Sequence, residues 1–232
     1  MKKEVINKII NIVVILLIPV FCISFSAFIP CFFKSFYYMW IKPLHIPETS
    51  GYSIEVIKEA YSDVLNFIWR GAEFKTGQLA YTEVEKAHFQ DCVPLFWLQL
   101  ILMLVSGLLL LTYFILIKTK VLNVVKFKNI PVYSYGGIGT CGLLVLVGLG
   151  ALINFDGMFV LFHKIFFPGK ENWLFDETTE EIIKILPESF FIVCAVFIIS
   201  LIIILSLVFI LIGIIPLIKS KKEKNSWDLQ GF

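Results

Sequence analysis

Four long blocks without a single charge dominate the pattern of apolar and polar positions. They run from about Ile9 to Ile29, Val93 to Ile117, Tyr133 to Ile153 and Phe190 to Ile218, and none contains Asp, Glu, Lys or Arg. About 20 apolar residues in a helix cross the hydrocarbon core of a bilayer. Only a helix satisfies every backbone group within one such segment, so the pattern predicts four membrane helices. The first block follows a basic start, MKKEVINK, as a signal peptide would. Its apolar run exceeds the 7–15 residues of a signal core, and no small-x-small cleavage site follows, so it reads as an uncleaved helix.

Between the blocks the pattern changes period. In Tyr52 to Trp69, Ile54, Ile57, Tyr61, Val64 and Ile68 recur at spacings of three and four, which predicts an amphipathic helix. Phe36 to Ile46 is aromatic and β-branched, a pattern for a strand or an interfacial stretch. Thr82 with Glu85 three residues on forms a capping box that starts a helix at about Glu83. That helix runs towards the second block, with Pro94 expected to bend the junction. Six glycines in the third block (136, 137, 139, 142, 148 and 150) predict close helix approach. Asp156 to Phe167 predicts a short, Phe-rich helix lying near an interface. Asp176 is expected to cap another, with Glu177, Glu180 and Glu181 in its first turn and Pro187 at its end.

Composition agrees: 58% of residues are hydrophobic and 16% charged, where a soluble domain carries about a quarter charged. Charge then orients the blocks. Segments 1–8, 118–130 and 219–232 hold 11 Lys and three acids, a net of +8, while 30–92 and 154–189 net −6. Basic loops stay inside. The expected fold is therefore an all-α membrane protein, one integral membrane domain over 1–232. Its four-transmembrane-helix bundle (9–29, 93–117, 131–153 and 190–218) has both termini and the 118–130 loop in the cytoplasm. Two extracytoplasmic segments, 30–92 and 154–189, form a small outer cap with room for a little β structure. The tail 219–232 reads as a stop-transfer anchor. The five cysteines read as small apolar residues, with Cys31 and Cys92, both near the outer boundary, the one candidate pair.

Chemistry has few places to reside. The three histidines, His45, His88 and His163, all fall in outer segments. His88 and His163 each sit a few residues from a membrane helix. Asp91 follows His88 by three residues and Asp156 precedes His163 by seven, so each carboxylate is a candidate to orient its imidazole for proton transfer. No zinc spacing, nucleophile elbow, phosphate loop or kinase signature is present. Metal is not expected, and sparse cytoplasmic lysines exclude nucleic acid as a partner.

The stretches YTEVEKAHFQD and NFDGMFVLFHKIFFPGKENWLFD, with ILPESFF beyond, resemble the two motifs of the lipoprotein intramolecular transacylase family, Lit. Glu85, His88 and Asp91 carry the first. Asp156, Phe162-His163, Phe166-Phe167, Asn172-Trp173 and Asp176 carry the second. Phe89 and Cys92 stand where Met and Val are expected. The resemblance implies a multi-pass enzyme of the cytoplasmic membrane of Gram-positive bacteria, with its active site at the outer leaflet. It implies transfer of the sn-2 acyl chain of an S-diacylglyceryl lipoprotein to the α-amine of the same N-terminal cysteine, without cofactor. The catalytic residues would be His88 and His163, with Asp91, Asp156, Glu85 and Trp173 in support. The partners would be the diacylglyceryl lipoprotein substrate and membrane lipid. Two histidines at ester depth supply a base for the amine and an acid for the leaving oxygen, and the sequence leaves open which does which. Another membrane-embedded acyltransferase or hydrolase, or a non-catalytic scaffold, are the alternative readings.

Overall fold

The chain is described from a computed structural model covering the backbone of residues 2–176 and 178–229. Glu177, and the side chains of Lys2, Ala151, Phe155 and the basic tail 219–232, lie outside the described residues. Helices α1 (Lys2–Phe32), α5 (Glu83–Lys118), α6 (Val132–Ile153) and α9 (Glu188–Leu229) contain the four apolar blocks. All four are long and apolar enough to cross a membrane. Between them lie α2 (Lys34–Trp40), α3 (Ile46–Ser50), α4 (Ile54–Arg70), α7 (Phe155–Phe166) and α8 (Ile182–Ile185), with a two-stranded ribbon, β1 (Lys126–Phe127) and β2 (Ile130–Pro131). The chain divides into two compact units.

One unit comprises Met1–Phe25, Leu102–Gly148 and Ile199–Phe232. Here the apolar helices form a bundle whose contacts depend on small residues. A Cβ on Gly137 would lie 2.7 Å from the Ser206 carbonyl oxygen, and one on Gly136 would lie 2.8 Å from the Ile18 side chain. These two glycines let α6 approach α9 and α1. Gly139, Gly142 and Gly148 face open space, so the expectation that the whole glycine set packs helices is corrected. Asn11 is fully buried inside the first apolar block. Its Oδ1 accepts from Tyr113 Oη at 2.8 Å and Val125 N at 3.0 Å, and its Nδ2 donates to the Asn123 carbonyl at 3.1 Å. A buried amide is retained there because every bond it needs is supplied.

The second unit comprises Ser26–Ile101 and Leu149–Ile198. The amphipathic α4 buries Ile57, Ala60, Tyr61, Val64, Leu65 and Ile68, close to the predicted stripe. Ser53 caps its start and Gly71, at φ +65°, ends it. Tyr37 stacks on Tyr61 at 4.0 Å and donates its hydroxyl to the Ile185 carbonyl. Of the two readings offered for Phe36–Ile46, the strand is corrected: Phe36–Trp40 lies in helix α2 and turns follow. Its aromatic residues serve helix packing in the core around Tyr37, where burial overrides β-propensity. Among the described residues the outer segments carry no strand, so the β structure expected there is corrected; the one ribbon, β1 with β2 in the other unit, joins Lys126–Phe127 to Ile130–Pro131 through Lys128 and Asn129, both at positive φ. The helix expected to follow Asp176 is delayed: Asp176 caps a turn through Thr178, and α8 starts only at Ile182. Helix α5 runs on through Pro94, so the helix begun at the capping box and the second apolar block are one element. All five cysteines are free thiols.

Candidate active site

The site is built from the first turns of α5 and from α7 with its following loop. The capping box forms as the sequence requires: Thr82 Oγ1 accepts from Glu85 N at 3.2 Å, and Glu85 Oε2 accepts from Thr82 N at 2.6 Å. Glu85 is 0% exposed, and its Oε1 also accepts from Ile182 N at 3.1 Å. Burial pushes its carboxyl above the usual range. This carboxylate ties the start of α5 to α8 and sets the helical phase. One turn on, the same face presents His88, and the next turn presents Cys92.

Helix α7 starts at Asn154, whose Oδ1 accepts from Gly157 N at 2.8 Å. Two turns later His163 faces inward and is 8% exposed. Its Nδ1 lies 2.8 Å from the Phe159 carbonyl oxygen. A carbonyl only accepts, so Nδ1 carries the proton and Nε2 presents a lone pair. Trp173 stacks on this imidazole at 4.5 Å between centroids with 23° between planes, and Phe159 lies 4.2 Å away.

The two imidazoles meet. The His88 and His163 ring centroids are 6.2 Å apart, inclined by 35°. Phe167 and Phe175 close around His88 at 5.3 Å each. His88 Nδ1 is buried without a partner, and its Nε2 lies 3.5 Å from Cys92 Sγ. His88 precedes the charge-free run of α5, which begins at Val93. Burial and the neighbouring His163 push its pKa down to about 4, and burial also lowers that of His163. Both rings are therefore neutral at pH 7.

The supporting carboxylates are placed differently from expectation. Asp91 makes its hydrogen bonds to Lys170 Nζ at 3.0 Å and Asn172 Nδ2 at 2.8 Å, not to His88. The Asn172 bond first, then Lys170, holds its carboxyl below the usual range. Asp156 is exposed in the first turn of α7. Seven residues put it about 10 Å along the axis from His163, too far to touch it. It suits the positive end of the helix dipole. His45 is exposed, with positive φ, at the start of α3 and takes no part in the pair. Among the described residues no three His, Cys, Asp or Glu side chains converge to hold a metal. Sequence reasoning missed Lys170 and Phe175. The Asn172-Trp173 pair of the second motif was the signal for that loop.

Comparison with known proteins adds a family. The family model described as Lipoprotein intramolecular transacylase Lit matches residues 12–191. The chain resembles an in meso structure of the membrane integral lipoprotein intramolecular transacylase Lit from Bacillus cereus. The two are 24% identical, with a TM-score of 0.80, covering 95% of this chain and 99% of that one. Two structures of the same Bacillus cereus protein, carrying a histidine-to-arginine and a histidine-to-alanine substitution, match at a TM-score of 0.74 and 24% identity. They cover 95% of this chain and 96% and 97% of theirs. Among curated proteins no sequence matches.

Proposed function

Since the chain belongs to the lipoprotein intramolecular transacylase family, Lit, we propose that His163 and His88 carry an O-to-N acyl transfer within one lipoprotein molecule. The substrate is a lipoprotein whose N-terminal cysteine bears an S-diacylglyceryl group. Its α-amine attacks the sn-2 ester carbonyl, a C–N bond forms, and the C–O bond to glycerol breaks. The product is N-acylated and S-monoacylated.

The observation that carries this reading is the pair of neutral imidazoles facing each other in an aromatic pocket. His163 Nε2, with its lone pair exposed by the Phe159 bond, takes the proton from the attacking amine. It returns that proton to the glycerol oxygen as the C–O bond breaks. His88, whose pKa is too low for it to be an imidazolium at neutral pH, serves as a neutral N–H donor to the carbonyl oxygen as charge develops there. The proton balance closes within the site, and an ester becomes an amide, so the reaction runs downhill without a cofactor. Amine and ester belong to one molecule, and orientation supplies much of the acceleration.

The site lies at the outer leaflet, with both termini in the cytoplasm. The +8 and −6 charge split supports this orientation. The apolar face of α7 supports the depth: Phe162, Ile165 and Phe166 are exposed on a helix of 12 residues, too short to span and suited to lie among acyl chains and headgroups. Cysteines introduced beside Gly51 and Gly169 should react with an impermeant reagent from outside, and one beside Lys120 should not.

The test is conversion of a synthetic S-diacylglyceryl lipopeptide, read by mass spectrometry as loss of the diacyl form and gain of the N-acyl, S-monoacyl form. His88→Ala and His163→Ala should each lose about 10²–10⁴-fold in turnover with the protein still inserted. The double variant should be little worse than the poorer single one, and His45→Ala should stay active. Near-normal conversion by either single variant would refute the assignment.

A further inference from the structure

We infer that Asp91, Lys170 and Asn172 form a latch that positions His163, by tying the loop after α7 to α5 so that Trp173 is held flat on the imidazole. The catalytic consequence rests on the reading of His163 given above, but the latch itself does not.

The geometry is a closed set of bonds. Asp91 Oδ1 accepts from Lys170 Nζ at 3.0 Å, and its Oδ2 accepts from Asn172 Nδ2 at 2.8 Å. Trp173 Nε1 donates to the Lys170 carbonyl at 3.0 Å. At the base of the loop, Phe167 N donates to the His163 carbonyl and Lys170 N to the Phe167 carbonyl. One carboxylate on α5 therefore grips the residue whose carbonyl holds the indole, and also the residue immediately before the tryptophan. The indole is 7% exposed and lies 4.5 Å from the His163 centroid, nearly parallel to it. Phe159 contacts the same ring at 4.2 Å. The Nδ1 bond to Phe159 leaves the imidazole free to tilt, and the indole removes that freedom, so the aim of Nε2 depends on where the loop holds Trp173.

Two details argue against a merely incidental surface contact. The carboxylate can only accept, so it dictates which way the Asn172 amide faces. That orientation leaves Asn172 Oδ1 buried with no partner, a cost that the fold tolerates in order to keep the bond to Asp91. In contrast, Lys170 and Asp91 are 52% and 25% exposed at their side chains, and an ion pair so exposed contributes little to stability. A contact that is weak for the fold but tied to the catalytic ring suits a positioning role.

The full-length protein in detergent or nanodiscs tests this in two ways. In the lipopeptide assay, Asp91→Ala should lower turnover at saturating substrate by up to about 10²-fold, the scale of an ångström's misplacement, with KM little changed. Lys170→Met and Asn172→Leu should each lower it by a smaller factor. Asp91→Ala with Lys170→Met should be no worse than Asp91→Ala alone, and Lys170→Arg should restore most of the rate. Hydrogen exchange of the 167–174 peptide gives a readout independent of activity, and it should speed up several-fold in Asp91→Ala and Lys170→Met. If Asp91 instead acts directly on His88, Lys170→Met leaves its charge in place and keeps wild-type turnover and exchange, which would overturn the latch. Unchanged exchange in Asp91→Ala would overturn it as well. Failure of the wild-type protein to convert the lipopeptide, with the exchange changes still seen in the two variants, would sink the transacylase roles and leave the latch standing.

Discussion

Replacing Glu85 tests whether one buried carboxylate sets the phase of the helix that carries His88. It is fully buried, receives Thr82 N at 2.6 Å and Ile182 N at 3.1 Å, and lies one turn before the histidine. Glu85→Leu removes both bonds and strands two backbone N–H groups, each worth about 1–3 kcal/mol when buried and unpaired. Relief of the carboxylate's desolvation, which already raises its pKa, offsets part of this. A net loss of roughly 2–4 kcal/mol follows. Glu85→Gln keeps one acceptor oxygen and turns its amide N–H₂ towards the other backbone donor, so it should lose roughly half as much. Thermal unfolding in a single detergent should rank wild type above Gln above Leu. Lipopeptide conversion measured below the transition should fall in the same order, because the link to Ile182 also fixes where the first turns of α5 sit. A Glu85→Leu protein as stable and as active as wild type would refute the reasoning.

The pH profile should show only one proton between pH 6.5 and 8. Both histidines have depressed pKa values, so their neutral, active forms persist below 6.5, and their protonation limb falls at more acidic pH. The substrate amine titrates at about 7.7–8.0, so kcat/KM should rise with unit slope up to that range, and a slope of two there would show that a histidine titrates with it. Conversion by the purified protein should survive strong chelation, and loss on EDTA treatment restored by zinc would replace the metal-free mechanism. Gly137→Ala should lower the unfolding temperature, since its Cβ would lie 2.7 Å from a backbone oxygen, whereas Gly142→Ala, with open space around it, should not. Equal shifts for the two would disprove the close approach of α6 to α9.

The membrane helices were legible in the chain because a charge-free run of this length has one stable form in hydrocarbon, and that form depends only on the run itself. The capping box, the α4 stripe and α7 were legible for a similar reason: each signal lies within one helical turn or a few. His88 and His163 were legible as candidates because imidazole is scarce in this chain and both lie in recognisable motifs. The partners of the acids were not. Asp91 is near His88 in sequence, but its charge is taken by Lys170 and Asn172, about eighty residues away. Asp156 shares a helix face with His163, but two turns of rise separate them. Likewise, six glycines in one helix announce close packing without saying which side is packed, and only Gly136 and Gly137 meet neighbouring membrane helices closely. Local bonds are decided by spacing along the chain. Which donor reaches a carboxylate, and which glycine meets a neighbour, is decided by what the packing of distant segments brings within about 3 Å, the range over which a hydrogen bond or a steric contact acts.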